Sequence, residues 1–145
     1  MILYFAYGSN MKLEQMESRS KVISHTTAVL RDHRLVFNKV SKKNPREGFA
    51  NVVKSEGSVV EGVLYLLDDD ISKLDKSEGV PNHYTKEFMT VERMDGTVLE
   101  ALVYVANPTR TSENLLPSRE YVEKLMENKR LSKDYIKLIK EHETL

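Results

Sequence analysis

Two short stretches of the sequence carry residue types that can bind and process a small polar molecule. The first is YFAYGSNM, in which the apolar run Ile2 to Tyr7 ends in Gly8, Ser9 and Asn10 before an amphipathic segment begins. A strand that leads through a glycine into a helix start leaves several backbone N–H groups unpaired in one place, and such groups bind a carboxylate, a phosphate or an oxyanion. Gly8 permits close approach of a ligand. The alternative is a tight turn in which Ser9 or Asn10 only caps the helix.

The second stretch is DDDISKLDKSEGVP, which predicts a short helix that ends in a carboxylate. Asp69 or Asp70 can cap the amino terminus of this helix, and Gly79 followed by Pro81 ends it. The last helical position is therefore Glu78, which comes directly before the glycine. This position lies at the negative end of the helix dipole, where an ionised carboxylate is disfavoured.

The spacing within this helix also places Glu78 on its apolar face. Ile71, Leu74 and Glu78 fall at i, i+3 and i+7, whereas Asp75 and Lys76 point elsewhere. Burial of the carboxylate raises its pKa, as the helix dipole does. A glutamate with a raised pKa suits a general base that later acts as an acid. The alternative is a frayed last turn from which Glu78 reaches into water.

Several other kinds of chemistry are excluded or disfavoured. Disulfides, thiolate metal sites and cysteine nucleophiles are excluded because the sequence has no cysteine. The turn lacks the motifs of a Walker loop, a dinucleotide fingerprint or a nucleophile elbow. We expect no metal site, because none of the histidines shows the i, i+4 spacing of a helical metal pair: His25, His33, His83 and His142. His83 is close enough to Glu78 in sequence to line the same pocket, although a surface position is the simpler interpretation.

Length and charge narrow the class of protein. A chain of 145 residues suits one domain, and 22 basic residues balance 22 acidic ones. We therefore expect no nucleic-acid or membrane partner, and we interpret the basic cluster Lys42, Lys43 and Arg46 as a solvated loop. The first seven residues are too short for a signal-peptide core or a membrane span. The lack of cysteine is consistent with a cytoplasmic location.

Strands are the main elements that must position these residues. The segment from Val22 to Phe37 is rich in β-branched residues and predicts one bent strand, or two strands with a kink near Arg31 and Asp32. The segment NKVSKKNPREGF, which begins at Asn38, predicts a loop. We expect a hairpin next, with its arms and turn as follows: Ala50 to Lys54, the turn Ser55 to Ser58, and Val59 to Leu67.

A second hairpin and a helical carboxyl terminus complete the pattern. The segment YTKEFMTVERMDGTVLEALVYVA has Asp95-Gly96 between two β-rich runs, which is a strong local hairpin signal. Ser118 and Ser132 can each cap a helix. The sum is an α+β fold, in which a mostly antiparallel sheet can close into a barrel because it must protect its edges.

YFAYGSNM, LDKSEGVPNHY and PSREY together resemble the γ-glutamylcyclotransferase-like proteins, which include γ-glutamylcyclotransferases, γ-glutamylamine cyclotransferases and plant AIG2-like proteins. The resemblance follows the motif order over nearly the whole chain. It implies one domain over residues 1–145, a small mixed, mostly antiparallel β-barrel flanked by short helices, and no cofactor or metal. Characterised members convert a γ-glutamyl amide into 5-oxoproline and a free amine or amino acid.

The resemblance also implies roles for particular residues. Glu78 matches the catalytic glutamate of the family, and the substrate-binding positions are Tyr7, Gly8, Ser9, Asn10, Tyr84 and Tyr121. We expect the substrate's own α-amine to attack its γ-carbonyl, so that neither a serine, a cysteine nor a metal is needed. Glu78 would take a proton from that amine and deliver it to the leaving amine, while the amides of Gly8 to Asn10 stabilise the oxyanion.

Three questions stay open at this point. The scaffold can also serve as a non-catalytic module that binds a small ligand, or as an acyl-transfer enzyme that uses Ser9 as its nucleophile. The leaving group can be an amino acid, an amine, a lysine crosslink fragment or the remainder of glutathione. Many family members carry a Gly-Ala pair where this chain has NKRLS, around Asn128-Lys129, so that edge of the pocket is expected to differ. No pattern defines the oligomeric state.

Overall fold

The first strand of the chain closes a five-stranded barrel. The computed structural model describes residues 1–145, and its strands are β1 (Ile2–Ala6), β2 (Val22–Val40), β3 (Gly48–Leu67), β4 (Tyr84–Arg93) and β5 (Val98–Ala106). Their order around the barrel is β1-β3-β2-β4-β5. β1 pairs antiparallel with β3 and parallel with β5, and the other pairs are antiparallel. The predicted mixed barrel within an α+β fold is therefore confirmed, and closure gives every strand a neighbour on both sides.

The second strand is the single bent strand that the sequence allowed. The bend lies at Asp32, whose φ is 59°, and the pairing with β3 shifts register between Arg31 and His33. This strand extends to Val40, so the predicted loop from Asn38 is too long and Lys39 lies on β2. Its inward residues alternate along the strand, as a half-buried strand requires: Leu35, Phe37 and Lys39 are all buried.

The predicted hairpin within residues 50–67 is wrong. β3 is one strand of 20 residues, and both of its halves pair with β2, at Lys54 opposite His33 and at Val59 opposite Arg31. The residues between them bend without reversing the chain. Gly57 has a φ of 82°, and its N–H donates a 3.0 Å hydrogen bond to Oδ1 of Asp32. The two strands therefore bend together, and the expected turn is a paired bulge.

The second predicted hairpin and both carboxyl-terminal helix caps are confirmed. Gly96, with a φ of 86°, lies in the turn between β4 and β5, where the N–H of Thr97 donates to Oδ1 of Asp95. Ser118 and Ser132 cap the last two helices with their side chains. The helices are α1 (Leu13–Glu17), α2 (Ser72–Glu78), α3 (Arg119–Met126) and α4 (Lys133–Lys140), and short 3-10 turns span Ser9–Met11 and Pro108–Arg110.

Helix α2 packs against the barrel through Leu74, which is on the predicted apolar face, and through Asp75, which the helical spacing predicts to lie outside that face. Leu74 is fully buried, as the apolar stripe predicted. Asp75 does not point away from the core: its Oδ1 accepts a 2.6 Å hydrogen bond from the hydroxyl of Tyr104 on β5, and its Oδ2 pairs with Nζ of Lys86 on β4 at 2.9 Å. Gly79 ends the helix with a φ of 66°, as predicted.

Candidate active site

A cavity of about 450 Å³ lies between the loop that follows β1, the carboxyl end of α2 and the facing strands of the barrel. It has the size of an ordinary small-molecule site. All of the residues that the sequence proposed for catalysis and binding line it: Tyr7, Gly8, Ser9, Asn10, Glu78, Tyr84 and Tyr121. The fold therefore brings together two segments, the first turn and the end of α2, that lie 68 residues apart at Asn10 and Glu78.

The loop after β1 offers unpaired backbone donors to this cavity. The N–H groups of Gly8, Ser9 and Asn10 have no protein acceptor, and the first N–H of this turn to be bonded is that of Met11, which donates to the Gly8 carbonyl. A hydrogen bond also fixes the loop in place: the hydroxyl of Tyr65 donates to the Asn10 carbonyl at 2.7 Å. A fixed loop with free N–H groups is suited to binding a carboxylate or an oxyanion.

The side chain of Asn10 does not cap a helix, and neither does that of Ser9, so the alternative of a turn with a helix cap is not what the structure shows. Asn10 is only 3% exposed, and its Nδ2 donates to the hydroxyl of Tyr4 at 3.0 Å and to Oε1 of Glu78 at 2.9 Å. Its Oδ1 accepts from Nε2 of Gln15 at 3.0 Å and from Nη1 of Arg19 at 2.7 Å. Because Asn10 is buried, these hydrogen bonds are more favourable than a helix cap exposed to water would be.

Glu78 ends α2 inside the cavity, so the alternative of a frayed last turn is not what the structure shows. Only its Oε1 has a protein hydrogen-bond partner, the Nδ2 of Asn10. Burial raises the pKa of Glu78, whereas the positive charge of Arg19, the hydrogen bond from Asn10 and the charge of Lys39 each lower it by smaller amounts. The net direction is upward, which is the direction predicted from its place on the helix.

Three tyrosines of the cavity form hydrogen bonds to the barrel backbone through their hydroxyls. Tyr7 donates to the carbonyl of Tyr104 at 2.5 Å, and Tyr84 donates to the carbonyl of Ala50 at 2.9 Å. The hydroxyl of Tyr121 accepts from the N–H of Ala50 at 3.3 Å. Burial raises the pKa of Tyr7, Tyr84 and Tyr121, so these phenols stay protonated and form fixed aromatic walls.

Gly8 lies directly against one of these walls. A Cβ atom at Gly8 would come within 3.2 Å of the Tyr121 hydroxyl and 3.5 Å of Cβ of Ala50. The hydroxyl of Ser9 accepts a 2.8 Å hydrogen bond from Nε2 of Gln15, and no base is hydrogen-bonded to it. The arrangement lacks the nucleophile–base contact that an acyl-transfer serine requires.

Sequence reasoning missed several charged residues of this cavity and favoured a surface position for His83 over a place in it. Arg19, Lys39 and His83 line it, and so do Lys42 and Lys43 at its mouth. His83 is therefore not merely a surface histidine: its Nδ1 lies 3.0 Å from Nζ of Lys39. Lys42 and Lys43 are exposed, as expected of a solvated loop, yet they border the site. The alternation of Leu35 and Phe37 is the signal that could have placed Lys39 inside.

A second, smaller cavity of about 310 Å³ lies on the other side of the same loop. Gly8 and Ser9 border both cavities, and Asn128 and Lys129 border only this one. Nδ2 of Asn128 donates to the carbonyl of Met11 at 3.4 Å. The segment that replaces the Gly-Ala pair therefore contacts the loop from behind and does not line the cavity that holds Glu78.

The fold contains neither a cluster of metal-ligating side chains nor a helix that could span a membrane. No three His, Cys, Asp or Glu side chains lie close enough together to hold a metal ion. Among the helices, none has the length and apolar character that a membrane-spanning segment requires.

Comparison with known proteins connects this cavity to one family. The family model described as "Gamma-glutamyl cyclotransferase, AIG2-like" matches residues 4–123. A Bos taurus protein named gamma-glutamylcyclotransferase is 31% identical over 125 residues, which cover 82% of this chain and 65% of the bovine protein. A Mus musculus protein of the same name is 36% identical over 83 residues, or 54% of this chain and 44% of the mouse protein. The chain thus spans less than two thirds of these relatives.

The fold comparison covers the whole chain. A solved structure named gamma-glutamyl cyclotransferase superposes with a TM-score of 0.87 at 25% identity, covering 99% of this chain and 89% of that one. The sequence match includes both the loop after β1 and the end of α2, the two segments that meet at Asn10 and Glu78. The chain therefore belongs to the gamma-glutamyl cyclotransferase, AIG2-like family.

Proposed function

We propose that this chain is a γ-glutamyl cyclotransferase that converts a γ-glutamyl amide into 5-oxoproline and a free amine or amino acid. One observation carries the proposal: Glu78 shares a cavity with Gly8, Ser9 and Asn10, whose N–H groups have no acceptor in the protein. The names of the bovine relative and of the superposed solved structure support the same reaction. The small-molecule partner is then a γ-glutamyl compound.

The substrate supplies its own nucleophile. Its α-nitrogen attacks its γ-carbonyl carbon, a new C–N bond closes the five-membered ring, and the C–N bond to the leaving amine breaks. Well-oriented intramolecular reactions reach effective molarities of about 10⁵–10⁸ M, so the main task of the protein is to hold the folded conformer. The aromatic walls formed by Tyr7, Tyr84 and Tyr121 limit how the glutamyl chain can lie.

Two protons must move for the reaction to balance. The substrate α-ammonium carries three protons and the lactam nitrogen of the product keeps one, so two reach the leaving nitrogen, which departs as an ammonium. Glu78 accepts each proton in turn and passes it on, and its carboxylate is regenerated. Only one of its oxygens is bonded to protein, and its raised pKa brings it closer to the pKa values of the groups that exchange these protons.

The loop after β1 acts on the carbonyl oxygen. As the tetrahedral intermediate forms, this oxygen becomes an anion, and the free N–H groups of the loop stabilise it. Because the hydroxyl of Tyr65 and the Asn10 network hold the loop in place, little reorganisation is needed at that moment. Loss of one oxyanion donor typically costs about 10²–10³ in rate.

The test is incubation of the purified protein with γ-glutamyl compounds that differ in the leaving group, followed by detection of 5-oxoproline. We expect release from at least one compound, and none from Glu78→Gln. Glu123→Gln, which removes an exposed carboxylate on α3, is the matched control and should retain full activity. Thermal stabilisation by these compounds without any 5-oxoproline release would instead identify a non-catalytic binding module.

A further inference from the structure

Lys39 is a buried lysine without a carboxylate partner. It is 4% exposed and lies near the end of β2, and none of the ion pairs in the structure includes it. Its Nζ contacts Nδ1 of His83 at 3.0 Å and lies 5.8 Å from the centroid of the Tyr84 ring. A buried ammonium without a counter-ion is costly, so Lys39 lowers the stability of the folded protein.

The groups around Lys39 do not compensate its charge. Burial lowers the pKa of Lys39, and the nearby charges of Lys42 and Arg110 lower it further, whereas the charge of Glu78 raises it by a smaller amount. Lys42 and Lys43 line the same cavity, and the acid Glu47, also on its wall, forms no ion pair with these lysines. This side of the cavity therefore carries more positive than negative charge, and Lys39 has no ion-pair partner there.

The Lys39–His83 contact leaves hydrogen-bond donors free. A lysine ammonium has three N–H groups and no acceptor, so it donates one to Nδ1 of His83, whose proton is then on Nε2. Burial and the charge of Lys39 lower the pKa of His83, which favours this neutral form. Two ammonium N–H groups and the Nε2–H remain available to an acceptor, and both residues line the cavity.

Lys39 and Glu78 face the same space without touching. The charge of each alters the pKa of the other, yet their charged atoms lie beyond ion-pair distance. Because both residues line one cavity, a substrate whose leaving nitrogen lies at Glu78 has room to place its leaving group beside Lys39. In an α-amino acid the carboxylate is attached to the carbon next to that nitrogen.

We propose that Lys39 and His83 form a subsite for the carboxylate of the leaving group, so that the enzyme prefers γ-glutamyl amino acids over γ-glutamyl alkylamines. This inference rests on the proposed function. The substrate supplies the counter-ion that the protein lacks, through charge-assisted hydrogen bonds. Lys39 is thus a specificity-determining residue, with Glu78 performing the proton transfers.

The test uses two substrates that differ by one carboxylate, γ-glutamylalanine and γ-glutamylethylamide. The wild type should have the higher kcat/KM for γ-glutamylalanine. Lys39→Met should lower that value by about 10- to 100-fold, the range for hydrogen bonds to charged groups. It should change the ethylamide value much less, because only the effect of the Lys39 charge on the pKa of Glu78 is lost there. Lys39→Arg should retain most of the preference. Lys137→Met, which removes an exposed charge on α4, should alter neither value.

Each outcome supports or overturns the subsite. A wild type without preference, or an equal loss on both substrates in Lys39→Met, overturns it, because Lys39 would then serve the glutamyl head or the fold. Calorimetric binding of both compounds to the Glu78→Gln protein and to its Lys39→Met double variant repeats the comparison without turnover. If neither compound yields 5-oxoproline but binding depends on the carboxylate and on Lys39, the proposed function fails and the subsite stands.

Discussion

The side-chain amide of Asn10 donates a 2.9 Å hydrogen bond to Oε1 of Glu78, which joins the loop after β1 to the end of α2. The same side chain accepts from Arg19, so one buried amide links the carboxylate to a positive charge without direct contact between them. The carboxylate is therefore held in place while its second oxygen stays free of protein partners. This linkage leads to predictions for the carboxylate, the amide and the charge separately.

The first prediction is that Glu78→Gln abolishes turnover and stabilises the fold at neutral pH. The raised pKa of Glu78 means that the folded state binds this proton more tightly than the unfolded chain does. The resulting cost to stability is absent below the pKa that Glu78 has in the unfolded chain. It grows as the pH rises and is complete above the pKa that Glu78 has in the folded protein. The glutamine oxygen still accepts from Asn10, so the variant should melt higher than the wild type at neutral pH and equally in acid. A lower melting temperature at neutral pH would contradict it.

The second prediction concerns the amide itself. Asn10→Ala removes a donor to Glu78 and to the hydroxyl of Tyr4, and an acceptor for Arg19. Each buried group left unsatisfied costs about 1–3 kcal/mol, so chemical denaturation should show a lower free energy of unfolding, and kcat/KM should fall as well. Asn82→Ala, at an exposed position, is the control. Unchanged stability in Asn10→Ala would show that the network contributes little.

The third prediction uses the charge of Arg19, which lowers the pKa of Glu78. Without this charge the pKa of Glu78 rises further, so more alkaline solution is needed to form the carboxylate that accepts the first proton. The acidic limb of the kcat/KM profile should therefore move to higher pH in Arg19→Met. Arg119→Met, at an exposed position on α3, should leave it in place. A limb that stays fixed in Arg19→Met would remove Glu78 as the group that this limb reports.

Local patterns were enough to predict much of the frame around these residues. The Asp95-Gly96 hairpin, the Ser118 and Ser132 caps and the Gly79 helix end each depend on a few adjacent residues. Helical spacing with Leu74 predicts that Glu78 lies on the buried side of α2, whereas only the family resemblance implies its place in a substrate cavity. These elements could be predicted because their stabilising contacts lie within about one turn of chain.

Non-local pairing explains the predictions that failed. The segment Ser55 to Ser58 has the composition of a turn, but it serves equally as a bend, and only pairing with β2 around Asp32 decides between them. The Asn10 side chain does not cap the helix, because it forms hydrogen bonds with residues as distant in sequence as Glu78. Lys39 falls within the predicted loop because its charge conceals the inward alternation that begins with Leu35 and Phe37.

The fourth prediction addresses the space at Gly8. A methyl group there would come within 3.2 Å of the Tyr121 hydroxyl, so Gly8→Ala should displace the loop and lower kcat/KM by about 10- to 100-fold. Tyr121→Phe removes that hydroxyl. The alanine substitution should therefore cost less activity in a Tyr121→Phe background than in the wild type, which a double-mutant cycle measures. Equal costs in both backgrounds would show that Tyr121 does not limit this space.

The fifth prediction is that Asp75 positions the catalytic end of α2. Asp75 lies three residues before Glu78, and its carboxylate accepts from the Tyr104 hydroxyl at 2.6 Å, which ties the helix to β5. Asp75→Ala breaks this contact, so kcat should fall, whereas the acidic limb of the pH profile should not move because Asp75 is not among the groups that alter the pKa of Glu78.

Two further variants separate this positioning role from a loss of charge. Asp75→Asn keeps an oxygen that accepts from Tyr104 and should recover most of the kcat lost in Asp75→Ala. Lys86→Met removes only the partly exposed ion pair at Oδ2, which is worth at most about 1 kcal/mol, and should have little effect. Two outcomes would contradict this role: Lys86→Met lowers kcat as much as Asp75→Ala does, or Asp75→Asn recovers none of the lost kcat. In either case the charge of Asp75 matters, and its hydrogen bond to Tyr104 does not position the end of α2.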